Sequence, residues 1–232
     1  PSLASASGVE YTGSADDWYE AQHAYPIGYS QEERRKLIDT AMERFRSVFG
    51  EYPSVTTGWI VDTFSINYLR DRYGVTTHQI TREQWGTDSY TLSGGPIHYP
   101  YLADDDWSFL PADVPTDQQQ ADNPDTMQQS TLILRQTVSD PLFNYGDMTS
   151  AFTSQPNDYA RDGKNIEYFK KLIAGILGQT HNPYSIAILG LENSMAQEYQ
   201  QDFAQQIEHI ADLRRANPDL AVQTVQEFEQ EF

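Results

Sequence analysis

The chain has 232 residues, 34 of them acidic and 15 basic, for a formal charge of −19, and it has no cysteine. That balance argues against nucleic acid, because duplex binding needs a basic footprint to displace counterions; the missing thiols exclude disulfides, thiolate metal sites and a cysteine nucleophile. No run approaches the ~20 consecutive apolar residues that cross a membrane, while 38% hydrophobic and 12% aromatic residues suffice for a sizeable core in one large domain.

Residues 1–29 are rich in Ser, Ala and Gly and read as a loop-rich segment with at most one short strand, ahead of a domain over 30–232. The chain begins at Pro1 without an initiator Met or a signal peptide, as a processed or excised piece does. Ser30-Gln31-Glu32-Glu33 is a capping box, and Leu37, Ile38, Ala41, Phe45 and Val48 follow at helical spacing, which predicts a core-facing stripe. Gly50 and Pro53 stop that helix. Residues 55–61 form an apolar run of strand length ending at Asp62; a helix over 65–73 then leads to Gly74 and a strand over 75–80. Residues 86–129 lack sustained periodicity, and their Trp and Tyr content predicts an ordered, ligand-facing excursion. A strand over 131–138 and a helix over 165–177 follow, the latter with Ile166, Phe169, Leu172, Ile173 and Ile176 on one side. Residues 185–191 read as a strand buried on both faces. Ser194-Met195-Ala196-Gln197 is expected to cap the longest helix, which runs to about Asn217; 220–223 reads as a last strand, and Thr224-Val225-Gln226-Glu227 caps a final helix. Strands alternating with helices predict an α/β fold with a parallel sheet and helical cover.

The stretch 185–232 (SIAILGLEN, a long helix, then LAVQTVQEFEQEF) resembles the closing βαβα unit of polysaccharide deacetylase-like barrels. Upstream, FGEYPSVTTGWIVDTFSINYLRDRYGV resembles the unit that carries the family's Arg-Pro-Pro-Tyr-Gly motif, and YGVTTHQITREQWGTDSYTLSGG looks like the next strand and its loop. The similarity covers roughly residues 28–232 and is strongest to a prokaryotic branch of the glycoside hydrolase/deacetylase superfamily. It implies an incomplete or irregular (β/α)7-type barrel with parallel strands, the first strands lying upstream of this chain. It also implies a hydrolase acting on an extracellular or cell-surface polysaccharide. The family's Thr-Phe-Asp-Asp strand and His-x-x-x-His motif supply its catalytic base and divalent-metal ligands, and neither is present here. The five histidines (His23, His78, His98, His181, His209) include no i, i+4 pair. Gly50-Glu51-Tyr52-Pro53 stands where the family has Arg-Pro-Pro, and Glu192 stands where it has a late His. The resemblance therefore brings no metal ligands to this chain.

Ligands of parallel α/β folds lie at the carboxyl ends of strands. Asp62 follows Gly58-Trp59-Ile60-Val61 and belongs on that rim, as a base, as an orienter of a sugar hydroxyl, or as a helix N-cap. Glu192 follows Ile188-Leu189-Gly190-Leu191; a carboxylate leaving a buried strand is partly desolvated and suited to acid work, or it contacts loop amides. Asp88, between Trp85 and Tyr90, suits sugar binding or an Asx turn. Trp59, Trp85, Tyr90, His98, Tyr101, Asn157, Asp158 and Asn193 complete the expected substrate-binding set. Asp62 and Glu192 could form the carboxylate pair of a glycosidase. Asp104-Asp105-Asp106 offers oxygens to a hard cation, but without an EF-hand pattern it reads as a solvated loop. Two functions stay open: a carbohydrate-active enzyme in which Asp62, Asp88 and Glu192 converge, and a non-catalytic carbohydrate-binding or surface-structural domain that keeps the barrel without the metal. A third places the chain within a larger chain or surface assembly. The acidic balance, with four lysines, fits a high-salt habitat as well as an ordinary acidic protein.

Overall fold

The computed structural model describes residues 2–11, 28–58, 62–80, 100–108, 110–112, 130–135, 154–160, 163–178, 185–191 and 196–232. Where a loop was expected, Ser2–Ser7 forms a short helix, α1, that buries Ala4 and lies against the next helix. Six residues are too few to be helical alone in water, so packing holds this turn in place.

The capping box works as its sequence predicts. Helix α2 (Gln31–Phe49) opens with the Glu33 amide donating to Ser30 Oγ at 3.3 Å and the Ser30 amide to Glu33 Oε2 at 2.8 Å. It closes on Gly50, whose φ of 88° is left-handed and disfavours a side chain. Its inward face is rotated from the one expected. Met42 and Ile38 pack with Tyr73 and Val75, whereas Val48 and Phe49 are 63% and 66% exposed. The cause is polar. Asp39 Oδ1 accepts hydrogen bonds from Tyr68 OH and Tyr73 OH of the neighbouring helix, and this turns the Ile38–Asp39–Met42 side inward. Burial, then the bond to Asp39, raises both phenols above their usual range.

Strand β1 (Val55–Gly58), helix α3 (Thr63–Tyr73), β2 (Thr77–Ile80), β3 (Tyr101–Leu102) and β4 (Leu132–Arg135) follow. They make one four-stranded sheet in the order β1-β2-β4-β3 among the described residues. Strands β1, β2 and β4 are parallel, but β3 runs antiparallel to β4, so the sheet is mixed rather than all-parallel. A tight excursion follows β3. Ala103 N donates to Thr131 O at 2.9 Å, and Ala112 N returns to Leu102 O at 2.7 Å. The strands form a linear order rather than a closed ring among the described residues. Ile66 of α3 packs with Tyr101, Ala103 and Ile133, which sets α3 on the face that carries Ile133.

A second core joins α4 (Pro156–Tyr159), α5 (Ile166–Leu177) and α6 (Gln200–Ala216) around Tyr159, Phe169 and Ile173. The apolar side of α5 points inward as the periodicity predicts, with Phe169, Ile173 and Ile176 buried. Residues 185–191 do not form the strand expected of them. Ala187 and Leu189 pack on this helical core and are partly buried there. Residues 220–223 likewise form no strand. Helix α6 starts at Gln200, with no side-chain cap from Tyr199, the expected Ser194 and Met195 lying outside the described residues, and its 17 residues are fewer than the 19 of α2. The last helix, α7 (Val225–Glu231), opens on the predicted Thr224–Glu227 box and lies against β2. No helix among the described residues is long and apolar enough to cross a membrane.

Candidate functional site

The ladder register aligns Gly58, Ile80 and Arg135 at the carboxyl ends of the three parallel strands. Asp62 opens α3 beside that edge. Its Oδ1 accepts from the Ser65 amide at 3.0 Å and from Arg34 Nη1 at 2.7 Å, and its Oδ2 accepts from Ser65 Oγ at 2.7 Å. Asp62 is therefore a helix N-cap, as an Asp before a helix favours, and half of an ion pair. The two side chains are only 15% (Arg34) and 20% (Asp62) exposed. Arg34 is itself tethered, since its Nε donates to Tyr29 O at 2.7 Å. Three donors aim the carboxylate. They leave about one acceptor position of the carboxylate, on Oδ2, for a further donor.

Around this pair lie groups of a different kind. The guanidinium of Arg34 stands 6.0 Å from the Phe64 ring centroid, and that of Arg35 stands 5.0 Å from Phe64 and 5.8 Å from Tyr68. Thr63 Oγ1 donates to Ser108 Oγ and accepts from the Ser108 amide, both at 3.1 Å, tying the post-β3 excursion to the start of α3. Tyr101 OH donates to Ser108 O at 3.1 Å, and the preceding Trp107 is 57% exposed. Tyr101 is 3% exposed, so it supports Ser108 from the core rather than lining a cleft.

The acidic run in this excursion is fixed by its own turn and by α3. Asp104 Oδ1 accepts the amides of Asp106 and Trp107 at 2.9 Å each, an Asx-type turn, and Asp105 pairs with Arg70 at 2.5 Å. Among the described residues no group of three or more His, Asp or Glu could hold a metal ion.

Asn157 belongs to the other core. It is 2% exposed in α4, and Gln206, fully buried, donates from Nε2 to Ser154 O at 2.7 Å and to Tyr159 OH at 2.9 Å. Ser154 Oγ donates to Ile188 O at 2.8 Å and so fastens residues 185–191, the segment that leads to Glu192. Asp62 and Asn157 thus fall in separate clusters. The backbone of Asp158 lies in α4. Glu192, Asn193, Asp88, Trp59, Trp85, Tyr90, His98 and the side chain of Asp158 lie outside the described residues.

Sequence reasoning missed Arg34, Thr63, Trp107 and Ser108. Arg34 left one sign: it stands in the first turn of α2, where the helix dipole disfavours a cation, so it needs a partner elsewhere. Comparison with known proteins finds no matching family model, no matching curated protein and no matching solved structure.

Proposed function

We propose that the chain is a carbohydrate-binding protein of the polysaccharide deacetylase/glycoside hydrolase type, taking an extracellular or cell-surface polysaccharide along the carboxyl edge of β1, β2 and β4. The observation that carries this reading is an aimed carboxylate beside hydroxyls and an exposed indole. Asp62 and Thr63 sit at the start of α3, Thr63 is bonded to the buried Ser108, and Trp107, the residue before Ser108, is 57% exposed. Sugar recognition asks for this combination: acceptors for hydroxyl protons and a flat apolar surface for the ring. In this reading β1–α3–β2 is one unit of an irregular β/α-barrel, with β4 as a further parallel strand. In this reading Asp62 is a fixed acceptor, held by the Ser65 amide and hydroxyl and by Arg34, with about one acceptor position left for a sugar hydroxyl.

Depletion assays against chitin, cellulose, xylan and peptidoglycan test the proposal. Trp107→Ala is expected to weaken capture of the bound polysaccharide by about tenfold, the loss of ~1.4 kcal/mol of aromatic contact. Its melting temperature should stay that of the parent, because the side chain is mostly exposed. Failure of every polysaccharide to bind, or equal capture by Trp107→Ala, overturns the reading.

A further inference from the structure

We propose that His78 is an acid-sensitive latch: protonation of its buried imidazole loosens α3, and with it the Arg34–Asp62 pair, from the sheet. This rests on geometry that is independent of any ligand. His78 lies in β2 at 2% exposure, with Nδ1 2.8 Å from Thr56 Oγ1 on the neighbouring strand and Nε2 buried without a hydrogen-bond partner. It pairs with Ile133 in the ladder, so it faces the side of the sheet covered by Ile66 of α3 and by Tyr101. Thr131, two residues before Ile133, shares that face by strand alternation, and its Oγ1 is likewise buried and unpartnered.

A neutral imidazole can leave one nitrogen unpaired at modest cost, but an imidazolium carries two donors and a charge. Among the described residues no carboxylate is bonded to the ring. Strands β1, β4 and β3 present Thr56, Ile133 and Tyr101, the last with its OH on Ser108 O. The charges of α3 are engaged elsewhere: Asp62 with Arg34 and Ser65, Arg70 with Asp71 and Asp105, and Arg72 over the Tyr73 ring. Helix α7, which lies against β2, brings Glu227, bonded to Thr224, together with Glu229 and Glu231. Burial alone acts on His78 and lowers it from 6.5 to about 4.

The opened form therefore binds a proton that the closed form refuses. The closed form's stability is fully present above pH 6.5 and is lost as pH falls toward about 4. At pH 5.5, one unit below the free imidazole's value, the opening equilibrium shifts about tenfold. The opening is local because α3 meets the sheet through the small cluster of Ile66, Tyr101, Ala103 and Ile133 and otherwise packs on α2, whereas α5 and α6 have their own core.

Hydrogen exchange of the full chain at pH 7.5 and 5.5, corrected for intrinsic rates, tests the latch. Peptides covering α3 and β2 are expected to lose about tenfold in protection, with α5 unchanged and with no such loss in His78→Gln. Unchanged protection of α3 in the parent, or the same loss in His78→Gln, overturns the proposal. If His78→Gln does not fold, the parent's imidazole proton resonance decides. A ring that stays neutral down to pH 5 supports the latch, and a midpoint near 6.5 overturns it.

Discussion

Truncating Phe169 to Ala is expected to lower the unfolding free energy by about 3–5 kcal/mol, a large share of the ~5–15 kcal/mol that holds a typical domain folded. Phe169 is fully buried between α5 and α6, packs with Tyr159 and Ile173, and meets the His209 ring edge-on with centroids 6.2 Å apart. Removing the ring forfeits its transfer free energy and leaves a cavity in the buried cluster it shares with Tyr159 and Ile173. The same truncation at Val48 is expected to change stability by no more than about 0.5 kcal/mol, since that side chain is 63% exposed. Urea titration of both variants checks the pair. Similar losses at the two positions would mean that the stripe read from the sequence of α2, and not the Ile38–Met42 side, is its buried face.

Asp62→Ala is expected to cost about 2–4 kcal/mol, through two losses that can be separated. The N-cap to the Ser65 amide disappears, worth ~1 kcal/mol, and Arg34, only 15% exposed, is left without its carboxylate. Asp62→Asn keeps a good cap residue and isolates the second loss. A double-mutant cycle of Asp62→Asn with Arg34→Met is expected to show coupling of about 1–3 kcal/mol by chemical denaturation. Coupling near zero would mean that Arg34 and Asp62 do not depend on each other.

Much of the local structure was legible because it is encoded locally. Ser30 and Glu33, Thr224 and Glu227, Gly50 and Gly74, and the apolar side of α5 all act through neighbours within a turn or two, and each stands where its pattern puts it. The errors come from long-range packing. Residues 185–191 have strand composition, but Ala187 and Leu189 pack, partly buried, against helices, which periodicity cannot distinguish from packing in a sheet. The two-residue β3 is too short to carry a strand signal, so its antiparallel pairing could not be read in advance. At the site, Asp62 was legible as a residue at a strand end and as a cap. Its partner Arg34 lies 28 positions earlier, and Ser108 lies 45 positions after Thr63, separations that no motif bridges.

Backbone amide shifts recorded while titrating a soluble oligosaccharide of the captured polymer test the central claim most directly. Binding along the carboxyl edge predicts movement at Thr63, Ser65, Trp107 and Ser108, with α5 and α6 still. Movement confined to α5 and α6, or none with any oligosaccharide, would contradict it.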